Sequence, residues 1–524
     1  MHAPTTLSHG HAIAFSRVSA SESARPQEVV LDGATLTPAA VALVARAHAP
    51  VRLEPGARER NAAAARAVAA LLERGEPLYG ANTGVGALSG RALHGDELAE
   101  HAPRLLRSHA AGAGPLLATE LVRAAMTARA NQIGAGGAGV APELLDALVI
   151  ALNAELTPLV HEFGSLGTGD LTALAEIALA LLGEGRLAEQ GGPSDALRAL
   201  RAAGIGPVRL GPRDGLAFMS ANAVTAGHAA LLTVDAEALF DAWLTVAALS
   251  FEAADADRLV LDARLHGGRA RAGQAAVAAR LRELLGEGGC GAAREPAAAV
   301  QDAYPFRVLP QVDGVAHDAL GTLEQTVTDE LNLAGENALL VPEHELALPN
   351  GNPHAAQLAG SIDGLRSALA QSAGLIAARV SALLDPNLTG LPAFLAARPG
   401  PESGAMMLEY TAHALAAEVR SLVLPVAAQT VSVARGVESH ASLAPIAARR
   451  AAEALGALRM LVATELVVAV RALRLRGREP AGAGTRALFE RAAEQLDPDL
   501  GDRPLHPDIE AAHALLERWP PRVG

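Results

Sequence analysis

The chain is poor in cysteine and in aromatic residues, and it has no uncharged apolar run of membrane length. One cysteine, Cys290, leaves no partner for an intrachain disulfide and no thiolate set for a zinc centre, so a reducing compartment, the cytoplasm, is expected. Aromatic residues make up 2% of 524 against 50% hydrophobic residues, so Ala, Leu and Val must build the interior, which favours closely packed helices. Basic clusters interleaved with aromatics are missing, and 43 basic against 57 acidic side chains give a formal charge of −14; neither nucleic acid nor a membrane surface is expected as a partner. The most apolar stretch, Ala457 to Leu473, carries Arg459, Glu465 and Arg471 at near-helical spacing, the mark of a buried helix rather than a membrane span. Residues 1–26 lack a basic segment followed by an apolar one and read as a disordered tail, in which His2, His9 and His11 are solvated; no metal centre is expected. Internal repeats and low-complexity linkers are absent.

What the chain does have is a series of glycine-rich turns between helical segments. The central one is Gly164-Ser165-Leu166-Gly167-Thr168-Gly169-Asp170-Leu171, three glycines in six residues before an Ala/Leu run, with Asp170 or Thr168 placed to cap the helix that follows. A second, Tyr79-Gly80-Ala81-Asn82-Thr83-Gly84-Val85-Gly86, holds one of only three tyrosines. Gly134 to Gly139 has Gly-x-Gly-x-x-Gly spacing, but the segment before it, Leu121 to Ile133, reads as a helix, so a helix–helix connection is expected rather than a dinucleotide loop. Further along come Gln301-Asp302-Ala303-Tyr304-Pro305-Phe306-Arg307, whose arginine fork suits a carboxylate, then Asn350-Gly351-Asn352-Pro353-His354 and Val437-Glu438-Ser439-His440.

Taken in order, these segments resemble the histidine/phenylalanine ammonia-lyase family over roughly residues 30 to 520. The resemblance implies a mostly α-helical ammonia-lyase-like fold: an N-terminal portion with the active-site loops (27–220), a central long-helix bundle (221–442) and a C-terminal helical portion (443–524). It implies a homotetramer acting on a small molecule with a carboxylate and an amine. Tyr79 and Tyr304 take the catalytic acid/base roles, while His109, Gln301, Arg307, Glu418, Asn82 and Ser220 fall at substrate-side positions. The Ser108-His109 pair and Glu418 look like the histidine-type branch.

In that family the central loop reads Gly-Ser-x-Gly-Ala-Ser-Gly-Asp, and its Ala-Ser-Gly closes to the electrophile methylideneimidazolone (MIO). Here the loop is one residue shorter. Gly167-Thr168-Gly169 can be written onto the same cyclisation, giving an MIO-like ring with an added methyl group. The supporting Asn-Gly-Thr is matched by Ser220-Ala221-Asn222, a second departure at the cofactor. The expectation is therefore elimination from an amino acid or related amine without ordinary MIO. An MIO-independent lyase, isomerase or cyclase on a substrate with a good leaving group, such as a quaternary ammonium or a thiol, and a non-catalytic assembly or regulatory subunit stay open as alternatives.

Overall fold

The computed structural model describes residues 27–188, 194–206, 208–267, 272–286 and 301–519; the expected tail and Cys290 lie outside the described residues. The N-terminal third is built of short elements. β1 (Val29–Leu31) pairs in parallel with β2 (Val51–Leu53) across α1 (Pro38–Arg46), which starts where the Thr37 hydroxyl accepts the Ala40 N–H and Pro38 fills the first turn. α2 (Pro55–Glu73) and α3 (Gly95–His109) bracket the Tyr79 loop. β3 (Ala113–Leu116) leads to α4 (Thr119–Gly134) and α5 (Pro142–Asn153), and the glycine run between these two helices is the connection expected from the sequence. β4 (Thr157–Pro158) and β5 (His161–Phe163) precede α6 (Leu171–Leu181), and β5 pairs back with β3. β6 (Arg186–Ala188) sits between β4 and β7 (Ser194–Asp195), and α7 (Ala196–Ala202) and α8 (Asp214–Met219) then lead to the long helices.

α9 (Ala223–Ala254) is apolar around most of its circumference, and its second half is buried on every side, as such a helix must be. Short α10 (Ala263–His266), α11 (Ala272–Leu285) and α12 (Tyr304–Arg307) follow, then α13 (Leu309–Leu331) and the β8–β9 hairpin (Leu339–Val341, Leu346–Leu348). α14 (Ala356–Leu384), α15 (Pro386–Thr389), α16 (Met406–Ser421) and α17 (Ala444–Arg476) complete a bundle in which α9, α13, α14 and α17 share one core. The C-terminal portion carries a second break, unread in the sequence: α18 (Ala483–Gln495) and α19 (His506–Glu517) are separated by a stretch with Pro498, Gly501 and Pro504.

Small residues let the helices close up. A Cβ on Gly227 of α9 would lie 2.7 Å from the backbone of Ala124 on α4. α14 is long and apolar enough to cross a membrane by length and composition, but 61% of its most apolar window is buried within the chain. The charges in the apolar part of α17 are all answered. Glu465 pairs with Arg379 of α14 at 2.7 Å and accepts from Ser250 of α9, with both charged side chains fully buried, and Arg471 donates to the Leu395 carbonyl. Arginines repeatedly reach helix-end carbonyls in this way: Arg123 to Val44 and Leu152, Arg129 to Ala217 and Phe218, Arg476 to Ala253 and Thr389.

His228 of α9 faces a cavity of about 80 Å³ walled by Arg46, Glu120, Leu231, Asp235 and Leu455. Burial, reinforced by the positive charge of Arg449, pushes its imidazole down to about 4 from 6.5. A depressed pKa contributes stability that is complete above the unfolded value and is lost as pH falls through the folded one. In urea unfolding His228 therefore contributes a slope, opposite in sign to that from the buried Glu330 carboxyl, that is absent above about pH 6.5 and lowers stability toward about pH 4, by up to about 3 kcal/mol. His228→Gln should flatten that slope, and an unchanged slope would assign the acid sensitivity elsewhere.

Candidate active site

The glycine loop between β5 and α6 is held from four directions. Gly167 and Gly169 have φ of +80° and +103°, torsions that glycine adopts without strain. The Gly167 carbonyl accepts from the Ser442 hydroxyl at 2.8 Å and from the Ala355 N–H at 3.1 Å. The Gly169 N–H donates to Asn222 Oδ1 at 3.1 Å, while Asn222 Nδ2 donates to the Pro353 carbonyl at 2.7 Å. The Thr168 hydroxyl donates to Glu438 Oε2 at 2.7 Å. Thr168 therefore does not cap α6. Asp170 begins that helix without a side-chain cap bond; its buried carboxylate instead accepts from Thr225 N–H (2.7 Å), from the Thr225 hydroxyl (2.9 Å) and from Ser165, so it caps α9. Burial pushes this carboxyl up, against the pull of those hydrogen bonds. A Cβ on Gly167 would fall 2.0 Å from Ser442 Oγ, so an alanine-derived ring of the family's ordinary kind does not fit this backbone.

Three of the expected residues make contacts of their own kind in this chain. Asn222, not Ser220, supports the loop; Ser220 closes α8, and the register is two residues later than the motif comparison placed it. The acidic side chain at the loop is Glu438; Glu418, expected at a substrate-side position, is exposed on α16. Asn82 spends both ends of its carboxamide on its own turn, accepting from Leu78 N–H and donating to the Glu76 carbonyl, and so shapes the Tyr79 loop.

Tyr79 is half-buried, and its phenol oxygen accepts from the Gly86 N–H at 2.9 Å. Its loop leans on Leu216 of α8, and the turn at Gly86–Leu88 packs against the turn at Ala434–Gly436 that precedes Glu438. His109 ends α3, with Nδ1 2.9 Å from the Leu105 carbonyl and 3.1 Å from Ser108 Oγ; α3 packs on α6, which follows the loop, and on α8, which leads to Asn222. Glu330 of α13 shares a small pocket with Asn222, Gln132 and Asn352, where burial, with Asp170 and Asp329 nearby, pushes its carboxyl up to about 7.

The remaining expected residues lie elsewhere in the chain. Gln301 and Tyr304 are exposed, and the half-buried Arg307 guanidinium stands 5.1 Å from the Tyr304 ring centroid, its Nε without a hydrogen-bond partner among the described residues. Tyr304 opens onto a groove of about 570 Å³ with Ser381, Asp385 and Glu409. That groove is at the C-terminal end of α14, whereas Ala355, which binds Gly167, immediately precedes its first turn. Ser381 and Ala355 are 26 residues apart, roughly 40 Å along a helix. Within one chain the two groups do not meet.

Sequence reading also gave no role to a histidine pair beside the loop: His354 Nε2 lies 2.9 Å from His440 Nδ1. Both histidines stand in motifs that were legible, but their meeting across 86 residues was not. Every basic side chain other than histidine is an arginine; the chain has no lysine, so no side-chain amine can form a Schiff base, and phenol, imidazole and carboxyl groups carry the available acid/base chemistry.

The chain matches the family model for aromatic amino acid lyase over residues 36–494. It is 36% identical over 490 residues to the histidine ammonia-lyase of Symbiobacterium thermophilum, covering 93% of this chain and 96% of the relative. Among solved structures it is similar to the ergothioneine-degrading enzyme ergothionase of Treponema denticola, in complex with desmethyl-ergothioneine sulfonic acid (TM-score 0.89, 28% identity, 94% and 99% of the two chains), and to tyrosine aminomutase of Streptomyces globisporus (TM-score 0.88, 30% identity, 94% and 97%).

Gly167→Ala tests how tightly the loop is specified. The added methyl group must push Ser442 aside and hold an L-residue at positive φ, so a loss of about 1–3 kcal/mol in urea unfolding is expected. A variant as stable as the parent would show that the loop readily adopts another path.

Proposed function

The chain belongs to the aromatic amino acid lyase family and is a carbon–nitrogen lyase, and from that premise we propose that it eliminates the amine of an imidazole-bearing α-amino acid derivative without ordinary MIO, its substrate a quaternary ammonium betaine. The observation that carries this reading is the loop itself, one residue short, with no room for a Cβ at Gly167 and with the Thr168 hydroxyl held by Glu438. MIO serves to activate a poor leaving group. A quaternary nitrogen keeps its positive charge whatever base stands near it, so the C–N electron pair can leave onto it as the β-proton is taken. One C–H and one C–N bond break, a C=C bond forms, and the amine departs neutral. The likeness to histidine ammonia-lyases supports the imidazole. Ergothioneine is a trimethylammonium betaine related to histidine, and the likeness to an enzyme that degrades it supports the leaving group.

In this reading Arg307 grips the carboxylate; its planar fork suits two parallel hydrogen bonds. Tyr79 and Tyr304 are the acid/base pair. Because Tyr304 and Arg307 lie roughly 40 Å along α14 from the loop of their own chain, they reach the loop of another copy, which makes the homo-oligomer, a tetramer, a condition of activity. The single cysteine supports a cytoplasmic enzyme.

A second reading, elimination of ammonia from histidine with a methyl-substituted ring, has one specific support: the Gly167 carbonyl already accepts two hydrogen bonds, and Asn222 holds the Gly169 nitrogen, groups that a ring closure would join. Intact mass separates the two. Loss of two waters, about 36 Da, on the peptide across Leu156 to Leu182 would favour the second, and an unmodified peptide together with turnover of ergothioneine or trimethylhistidine but not histidine would support the first. Turnover of histidine by an unmodified chain would sink both.

Shared sites make a further prediction. Tyr79→Phe and Arg307→Gln should each fall at least about a hundredfold in turnover, yet assemblies mixed from the two should regain part of the parent activity, because some sites combine an intact half from each copy. Mixed assemblies as inactive as either parent variant would place both residues in sites built from one chain.

A further inference from the structure

We propose that His354 and His440 are a positioning pair, a proton-sensitive clamp that holds together the two chain segments gripping the loop. Each histidine is flanked by groups that touch it. Beside His354, the Pro353 carbonyl accepts from Asn222, and the Ala355 N–H donates to Gly167. On either side of His440, Glu438 accepts from Thr168, and Ser442 donates to Gly167. The next residue, Leu443, donates its N–H to the Leu166 carbonyl at 2.8 Å. The segments are 86 residues apart in sequence, and the 2.9 Å bond between the imidazoles, with ring centroids 5.0 Å apart, joins them directly.

An N···N bond between two imidazoles needs one ring to donate and the other to accept through a lone pair. With no proton beyond the neutral pair, or with one, the bond stands. A second proton turns both facing nitrogens into donors of like charge, and the bond is lost. The segments themselves carry few charged groups. On the His440 side these are Arg435 and Glu438, the latter bonded to Thr168; on the His354 side no other residue from Leu346 to Ile362 is charged; on the loop, Asp170 is tied to Ser165 and Thr225. The clamp does not depend on which amine leaves, so its test needs no substrate.

Hydrogen exchange of the full-length protein read by mass spectrometry tests it. Amides of the loop peptide, Glu162 to Thr172, are compared at about pH 8 and about pH 5 after correction for the pH dependence of chemical exchange, and normalised to the core amides of Leu461 to Leu473. In the parent chain the loop should exchange about fivefold faster at the lower pH, the loss of one hydrogen bond. His354→Gln keeps a bonding group that takes no second proton, so its loop should stay protected at both values; His354→Leu should leave it unprotected at both. A parent loop equally protected at both pH values, a Gln variant that loses protection as the parent does, or a folded Leu variant protected like the parent at about pH 8 overturns the proposal. Should the Leu variant fail to fold, the parent and Gln variant decide alone.

Discussion

One buried carboxylate organises this site. Asp170 would ordinarily cap the helix it begins, but its oxygens turn to Thr225 and Ser165 and so fasten the loop to the first turn of α9. From that point α9 runs through the centre of the bundle, against α4, α13 and α17. The loop is thus bonded to the helix on which much of the core is assembled, and the cost of burying a charge is offset by three donors converging on it. Around this fixed point Asn222, Ser442 and Ala355 determine where Gly167 and Gly169 sit, and glycine alone tolerates the torsions that result.

A rigid bundle also separates as much as it supports. α14 is a straight spacer between the loop and the groove at Tyr304, and nothing in a packed interior of Ala and Leu could bend it to bring the ends together. The division of the expected catalytic groups between its two ends follows from that stiffness. In the proposed reading, assembly of several copies brings these distant groups to one place, and each copy then carries parts of several sites rather than one whole one.

Much of this was legible from the chain alone. Composition indicated helices, and the order of motifs indicated the family. What failed were pairings between distant segments. Asn222 was in view, but the comparison set Ser220 in its place because nothing in a linear motif reveals which residue of a short turn faces the loop. Glu438 meets Thr168 across 270 residues, a contact that no spacing rule contains. The resemblance sets Asn82 at a substrate-side position, and its use in folding its own turn is visible only with its partners. The second break in the C-terminal portion was written in Pro498 and Pro504 but carried no motif to draw the eye.

Arginine's hold on helix-end carbonyls has a consequence outside folding. Aldehydes and reducing sugars condense first with the ε-amine of lysine, and this chain offers none. Its cations are guanidinium groups, several of them sequestered at carbonyl clusters such as those of Arg123, Arg129 and Arg213. Glycation and formaldehyde fixation, which neutralise and cross-link ordinary proteins through lysine, have few points of attack here, and immobilisation chemistry aimed at side-chain amines has none.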